Sequence, residues 1–158
     1  MDGTWLTLYR DHARTQWIDY NGHMSEAYYV LVSGFATDAL LDHIGLDQAE
    51  RARSRSSVYT VEAHIHYLSE ISEGTPLQVR SRLLALDPKR ARLFHALHHG
   101  DEGALLATEE LMLLHVDTSG PRTAPFAPAV YGQLERLLAA QEADPWPPQA
   151  GRAIGAAR

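Results

Sequence analysis

At 158 residues and 45% hydrophobic side chains, the chain can bury one proper core and is short for two, so a single domain is expected. Fourteen Lys and Arg against 20 Asp and Glu give a formal charge of -6, without the broad basic surface that nucleic-acid binding requires; the absence of cysteine excludes disulfides, thiolate metal sites and thiol nucleophiles. No apolar run approaches a membrane span, and "MDGTWLTLYRD" lacks the basic start and apolar core of a secretion signal, which points to the cytoplasm.

"WLTLY" reads as a short strand, followed by "WIDYNGHMSEAYYVL". Asn21-Gly22 is a strong hairpin signal because both residues tolerate positive φ, while Asp19, Asn21 and His23 stand at alternate positions around it. The stretch is either a bare turn or a site built on one. Ser25 is placed to cap a helix and Gly45 to stop it, which leaves about five turns between them. Tyr28, Leu31, Val32, Phe35, Ala39 and Leu40 follow helical spacing, and Ala27, Val30, Ala36 and Leu41 widen the stripe beyond one face, so the helix is expected to be mostly enclosed. Gly34 costs roughly 1 kcal/mol of helix propensity relative to Ala, which predicts a close approach there.

A polar loop over 46–57 carries the basic run "RARSR", after which the period changes to two. In "SVYTVEAHIHYL" the odd positions Tyr59, Val61, Ala63, Ile65 and Tyr67 are expected to form one dry face, with Glu62, His64 and His66 on the other. "TPLQVRSRLLALD", "ARLFHALHHG" and "GALLATEELMLLHVD" continue as hairpin-linked strands, the first two joined by the turn Asp87-Pro88-Lys89-Arg90 and the last apolar on both faces. A short amphipathic helix over 127–140 closes the domain, assigned to residues 1–140, and the Pro/Gly/Ala-rich tail 141–158 is expected to be mobile. The fold class is therefore α+β. A helix this apolar is covered only if the antiparallel sheet, about five strands, curls around it, and such a sheet leaves an edge for a second chain, so a homodimer or dimer of dimers is expected.

The element order, with Asp19-x-Asn21-Gly22-His23-Met24 before the long helix and Tyr67 ending the next strand, resembles the hotdog-fold acyl-CoA thioesterases of the 4-hydroxybenzoyl-CoA thioesterase type over about residues 5–138. "WIDYNGHM", "AYYVL", "ATDALLDHIGL", "VEAHIHYL", "KRARLFHALHH" and "ATEELMLLHVD" are most similar to the stand-alone members associated with carnitine breakdown, which act on betainyl-CoA. That resemblance implies thioester hydrolysis with coenzyme A as part of the substrate, no separate cofactor, and Asp19 as nucleophile or general base. Relatives commonly carry Asn after the Met; here Ser25 stands in its place.

Thioester hydrolysis needs an activated water or carboxylate, plus donors aimed at the oxygen where charge develops. The amides of Met24, Ser25, Glu26 and Ala27 at the helix start are candidates for that oxyanion site. Asn21 would orient water or thioester, and His23 would either contact the ligand or hold the turn. Glu62 is a second acid, either near Asp19 within one subunit or across two, or simply solvated on its strand. "HIHYLSE" places His64, His66 and Glu70 at cupin-like metal spacing, but lacks the second half of that motif and sits beside a helix foreign to a jelly roll. A trimethylammonium acyl group would suit an aromatic cage, for which Trp17 and Tyr29 are the first candidates. Arg51, Arg53, Arg55, Lys89, Arg90 and Arg92 are available for CoA phosphates. A non-catalytic hotdog ligand-binding or assembly module is the alternative, since fold alone does not certify activity.

Overall fold

The computed structural model describes residues 4–155. Strand β1 (Leu6–His12) leads through a short 3-10 turn (Thr15–Trp17) into α1 (Glu26–His43) and α2 (Gln48–Ser54). Strands β2 (Ser56–Tyr67), β3 (Pro76–Leu86), β4 (Arg90–His99), β5 (Leu105–Asp117) and the two-residue β6 (Arg122–Thr123) precede α3 (Pro128–Gln141). All pairings are antiparallel, in the order β1-β3-β4-β5-β2 with β6 on β5. This is the curled sheet around a central helix, the hotdog fold.

The boundaries of α1 follow from the chain on either side. Gly45 stands at φ 85°, its amide reaching Asp42 O, and Leu46 N–H closes on Leu41 O at 2.8 Å, a left-handed helix stop available to glycine at little cost. Ser25 has the extended backbone of an N-cap, yet its hydroxyl accepts no cap bond. One side of α1 packs into the sheet through Tyr29, Val32, Ala36 and Leu40, together with Val79, Leu97 and Ala107 or Leu83, Leu93 and Leu113. Its other side is open: Val30 and Leu31 are 41% and 40% exposed, and Gly34 has nothing within 4 Å of a built Cβ. Within one chain the helix is therefore half enclosed, and no close approach accounts for Gly34.

The strand β2 departs from strict alternation. Thr60 pairs with Leu113 and Glu62 with Met112, so Val61 is an extra residue. A single inserted residue flips every side chain beyond it to the other face. Ala63, Ile65 and Tyr67 consequently oppose Leu111, Glu109 and Ala107 on the α1 side, whereas Tyr59 opposes Leu114 and is 48% exposed. The expected single dry face is thus two half-faces joined at a bulge.

The sheet's second face carries Leu84, Phe94 and Ala96, packed with Trp5, Leu105 and Ala150. The segment after α3, expected to be mobile, lies across it. Arg82, 2% exposed, donates to the carbonyls of Gln141, Asp144 and Pro145; Gly151 N–H donates to Glu110 at 2.6 Å, and the Arg92 guanidinium sits 4.9 Å from the Trp146 ring centroid. Gln141 is fully buried, accepting from Leu83 N–H and donating to Thr4 O, each at 2.8 Å. Residues 156–158 of the tail lie outside those described. Nothing local to Arg82 announces that the tail would cover it.

Candidate active site

The stretch 18–24 is a tight hairpin closed by an Ile18–Met24 bridge. Asp19 and His23 share a backbone bond (Asp19 N–H to His23 O, 3.0 Å), Gly22 N–H returns to Asp19 O at 3.0 Å, and Gly22 takes φ 81°. The Asp19 carboxylate accepts from Asn21 N–H at 2.8 Å, an Asx turn that fixes its direction and leaves one carboxylate oxygen outside that bond. The turn and the candidate site are therefore one object: the hairpin holds the acid immediately before the first turn of α1.

The amides at that helix start are not equivalent. Met24 N–H is taken by Ile71 O at 2.8 Å and Ser25 N–H by Trp17 O at 2.9 Å, so these two are structural and do not serve as free oxyanion donors. The Tyr28 amide turns back to Ser25 O. The amides of Glu26 and Ala27 remain without a backbone partner among the described residues, at the positive end of an 18-residue helix.

Of the other candidates, His23 Nε2 lies 3.3 Å from Glu70, the residue that would have completed a His-x-His metal motif. The His64 and His66 rings lie tilted with centroids 4.6 Å apart on the face away from α1, and the fold is not a jelly roll, so the cupin-like reading fails on topology. Among the described residues no group of three or more His, Asp or Glu is placed to hold a metal ion. Asn21 is exposed at the tip of the hairpin. Glu62 lines a cleft of about 350 Å³ with His64, Arg92, Glu110 and Arg152 under the tail, and no residue of the opening hairpin belongs to that cleft. Trp17 is buried, stacked on Tyr28 at 5.8 Å and covered by the Arg14 guanidinium at 4.9 Å, so its π surface is already in use. Arg53, Arg90 and Arg92 are paired with Glu50, Asp87 and Glu110.

Tyr29 leads to what the sequence reading missed. Its hydroxyl donates to Ser69 O at 3.0 Å, and its ring meets Tyr67 edge to face at 5.0 Å between centroids. Tyr67 in turn donates to Glu26 O at 3.3 Å, so the two tyrosines stand beside the helix start. Behind them lies a small cavity of about 10 Å³ lined by Tyr29, Ser33, Ile65, His95, Thr108 and Glu109. Glu109 is 5% exposed; burial pushes its carboxyl up to about 7, opposed by a hydrogen bond from Ser33, and its Oε2 has no partner. Facing it across β4, His95 Nδ1 is 2.8 Å from Ser81 Oγ and Nε2 is 2.9 Å from Thr37 Oγ1, and burial drives this imidazole down to about 3. It is neutral and gives Glu109 no counter-charge. The signal for Glu109 was present in Glu109-Glu110: adjacent acids in a strand must point to opposite faces, so a strand buried on both sides buries one of them.

Residues 13–134 match the thioesterase-like superfamily. The chain is 46% identical over 150 residues to the betainyl-CoA thioesterase of Pseudomonas aeruginosa, covering 95% of this chain and 94% of that one. It is 50% identical over 153 residues to the L-carnitine dehydrogenase/betainyl-CoA thioesterase of Agrobacterium fabrum, of which it spans 31%. Among solved structures, the Staphylococcus aureus protein SAV2348 in complex with CoA superposes with a TM-score of 0.90 at 26% identity, over 99% of both chains.

Proposed function

We propose that this chain, which belongs to the thioesterase-like superfamily, hydrolyses betainyl-CoA to betaine and free CoA. The observation that carries the substrate is the 46% identity to a betainyl-CoA thioesterase across nearly the whole of both chains. The geometry supplies a reaction path. The Asp19 carboxylate, held by Asn21 N–H, takes a proton from water, or attacks directly, as a new C–O bond forms at the thioester carbon. Charge builds on the carbonyl oxygen against the Glu26 and Ala27 amides and the α1 dipole; the C–S bond then breaks, the thiolate of CoA leaves and is protonated, and in the direct route water then hydrolyses the Asp19 acyl anhydride to free the acid and restore the carboxylate. His23, tied to Glu70, supports the hairpin that aims Asp19.

The working unit in this reading is a homodimer or a dimer of dimers in the cytoplasm. Strand β2 is one of the two end strands of the sheet, 12 residues long, with Val61 and Tyr67 exposed along it and Leu68 just beyond, and the Val30 and Leu31 side of α1 is open as well. A long edge of this kind with apolar neighbours is what a second copy covers. Among the described residues no helix is long and apolar enough to cross a membrane.

The test is release of CoA thiol from betainyl-CoA, short and medium straight-chain acyl-CoAs and an aromatic acyl-CoA, followed with a colorimetric thiol reagent. The enzyme is expected to prefer betainyl-CoA, and Asp19→Asn, which keeps the Asx turn, to lower kcat by about 10²–10⁴-fold. Full turnover by a folded Asp19→Asn protein would falsify the role of Asp19; turnover of other thioesters alone would discard the substrate.

A further inference from the structure

We propose that Glu109 is the counter-charge to the quaternary ammonium of the acyl group, and so the residue that separates a cationic acyl chain from a neutral one of the same shape. This rests on the betainyl-CoA reading above and assigns the acyl end of that same site.

The first support is an acid with no internal reason to be where it is. Glu109 is 5% exposed, opposite His95 and Ile65 on its two neighbouring strands, and its Oε2 finds no hydrogen-bond partner. A buried carboxyl left half-satisfied is costly, and such groups persist where a ligand completes them. No basic side chain does so here, because His95 has both ring nitrogens engaged by Ser81 and Thr37.

A second support is the kind of partner the empty oxygen suits. A trimethylammonium group donates no hydrogen bond, so it is recognised by charge and by aromatic surface. The Tyr29 and Tyr67 rings, edge to face at 5.0 Å, form an aromatic wall between Glu109 and the helix start. Position agrees as well. Tyr67 bonds Glu26 O at 3.3 Å and interacts electrostatically with both Glu26 and Glu109, so one phenol joins the helix start to the buried acid. A cation seated against Tyr67 therefore lies in the field of Glu109 and is recognised through charge rather than through a hydrogen bond.

The cavity beside Glu109, at about 10 Å³, has room for one water. A trimethylammonium group does not fit there, so its place is outside that cavity, at Tyr67, which is 48% exposed on an edge strand with its hydroxyl held by a single bond of 3.3 Å.

The experiment compares betainyl-CoA with 3,3-dimethylbutanoyl-CoA, in which carbon replaces the ammonium nitrogen and the shape is kept. Wild type is expected to favour betainyl-CoA in kcat/KM, and Glu109→Gln to reduce that preference about tenfold or more through KM, with the neutral thioester held or improved. Equal losses on both thioesters, or an unmoved preference, overturn the proposal while leaving betainyl-CoA hydrolysis standing. A wild type inactive on betainyl-CoA yet active on other thioesters overturns both.

Should Glu109→Gln fail to fold, wild type itself decides. Between pH 6 and 8 the titratable groups facing Glu109, namely His95 on β4, Tyr29 on α1 and Tyr67 on β2, stay neutral, since burial pushes the imidazole down to about 3 and both phenols above their usual value. KM for betainyl-CoA should fall across that range relative to KM for the neutral isostere. Parallel pH profiles overturn the proposal.

Discussion

Glu109→Gln should change how the protein's stability depends on pH, independently of any substrate. An unfolded Glu ionises near 4.5 and Glu109 near 7, because burial disfavours its charge. Between those values the unfolded chain has given up a proton that the folded chain keeps, so raising the pH draws the equilibrium toward the unfolded state. At about 1.36 kcal/mol per pH unit, the accumulated penalty above pH 7 is about 3 kcal/mol. Replacement by Gln removes it. The amide brings its own cost, because the site offers its second polar atom no partner, but that cost does not vary with pH. Subtracting wild type from variant cancels every other titrating group, including the acid sensitivity of buried, neutral His95. The difference in unfolding free energy should be constant below pH 4.5, rise in favour of the variant by about 3 kcal/mol up to pH 7, and then level off. Urea unfolding from pH 4 to 8.5 measures it, at one protein concentration throughout so that any subunit association does not enter. Parallel curves for the two proteins would refute the assignment of Glu109 as a buried, uncompensated acid.

Two further outcomes test the frame around the site. Gln141→Leu leaves Leu83 N–H and Thr4 O without their partner and should destabilise the protein by about 2–4 kcal/mol in urea unfolding, with the tail becoming sensitive to limited proteolysis; an unchanged midpoint removes Gln141 as the tail's anchor. Val61→Lys puts a charge on the bulge of the free β2 edge and should weaken dimerisation by about two orders of magnitude, read by sedimentation equilibrium, with the monomer still folded; undiminished association places the interface elsewhere.

What could be read from the sequence was whatever depends on neighbours in the chain. Gly45 and the apolar spacing set α1 to within a residue, Asn21-Gly22 turned where expected, and Asp87 to Arg90 closed the β3–β4 hairpin. The resemblance carried by Asp19-x-Asn21-Gly22-His23-Met24 led to the right superfamily because that motif couples the turn to the helix start. What failed depended on residues distant in sequence. The amides of Met24 and Ser25 looked free because Ile71 O and Trp17 O arrive from elsewhere. The bulge at Val61 is a matter of register against β5, invisible in β2 alone. The short α2, capped when the Asp47 side chain accepts from Glu50 N–H, was passed over inside a run that looked only polar. Glu109 was hidden by its own strand: its alternation was legible, but which of two adjacent acids faced α1 was settled only by pairing with His95 and Ile65.

The anchoring of Gln141 has an architectural consequence. By holding Thr4 O and Leu83 N–H at once, it brings the first described residues and the end of α3 together, and Thr4 also meets Asp144 directly. Trp5 and Ala150 pack with Leu84, Phe94 and Ala96, so the first described residues and the segment after α3 share one face of the sheet. Because one side-chain amide ties the two, loosening either the first described residues or the end of α3 should loosen the other, so they melt as one cooperative unit rather than as two separate loose segments.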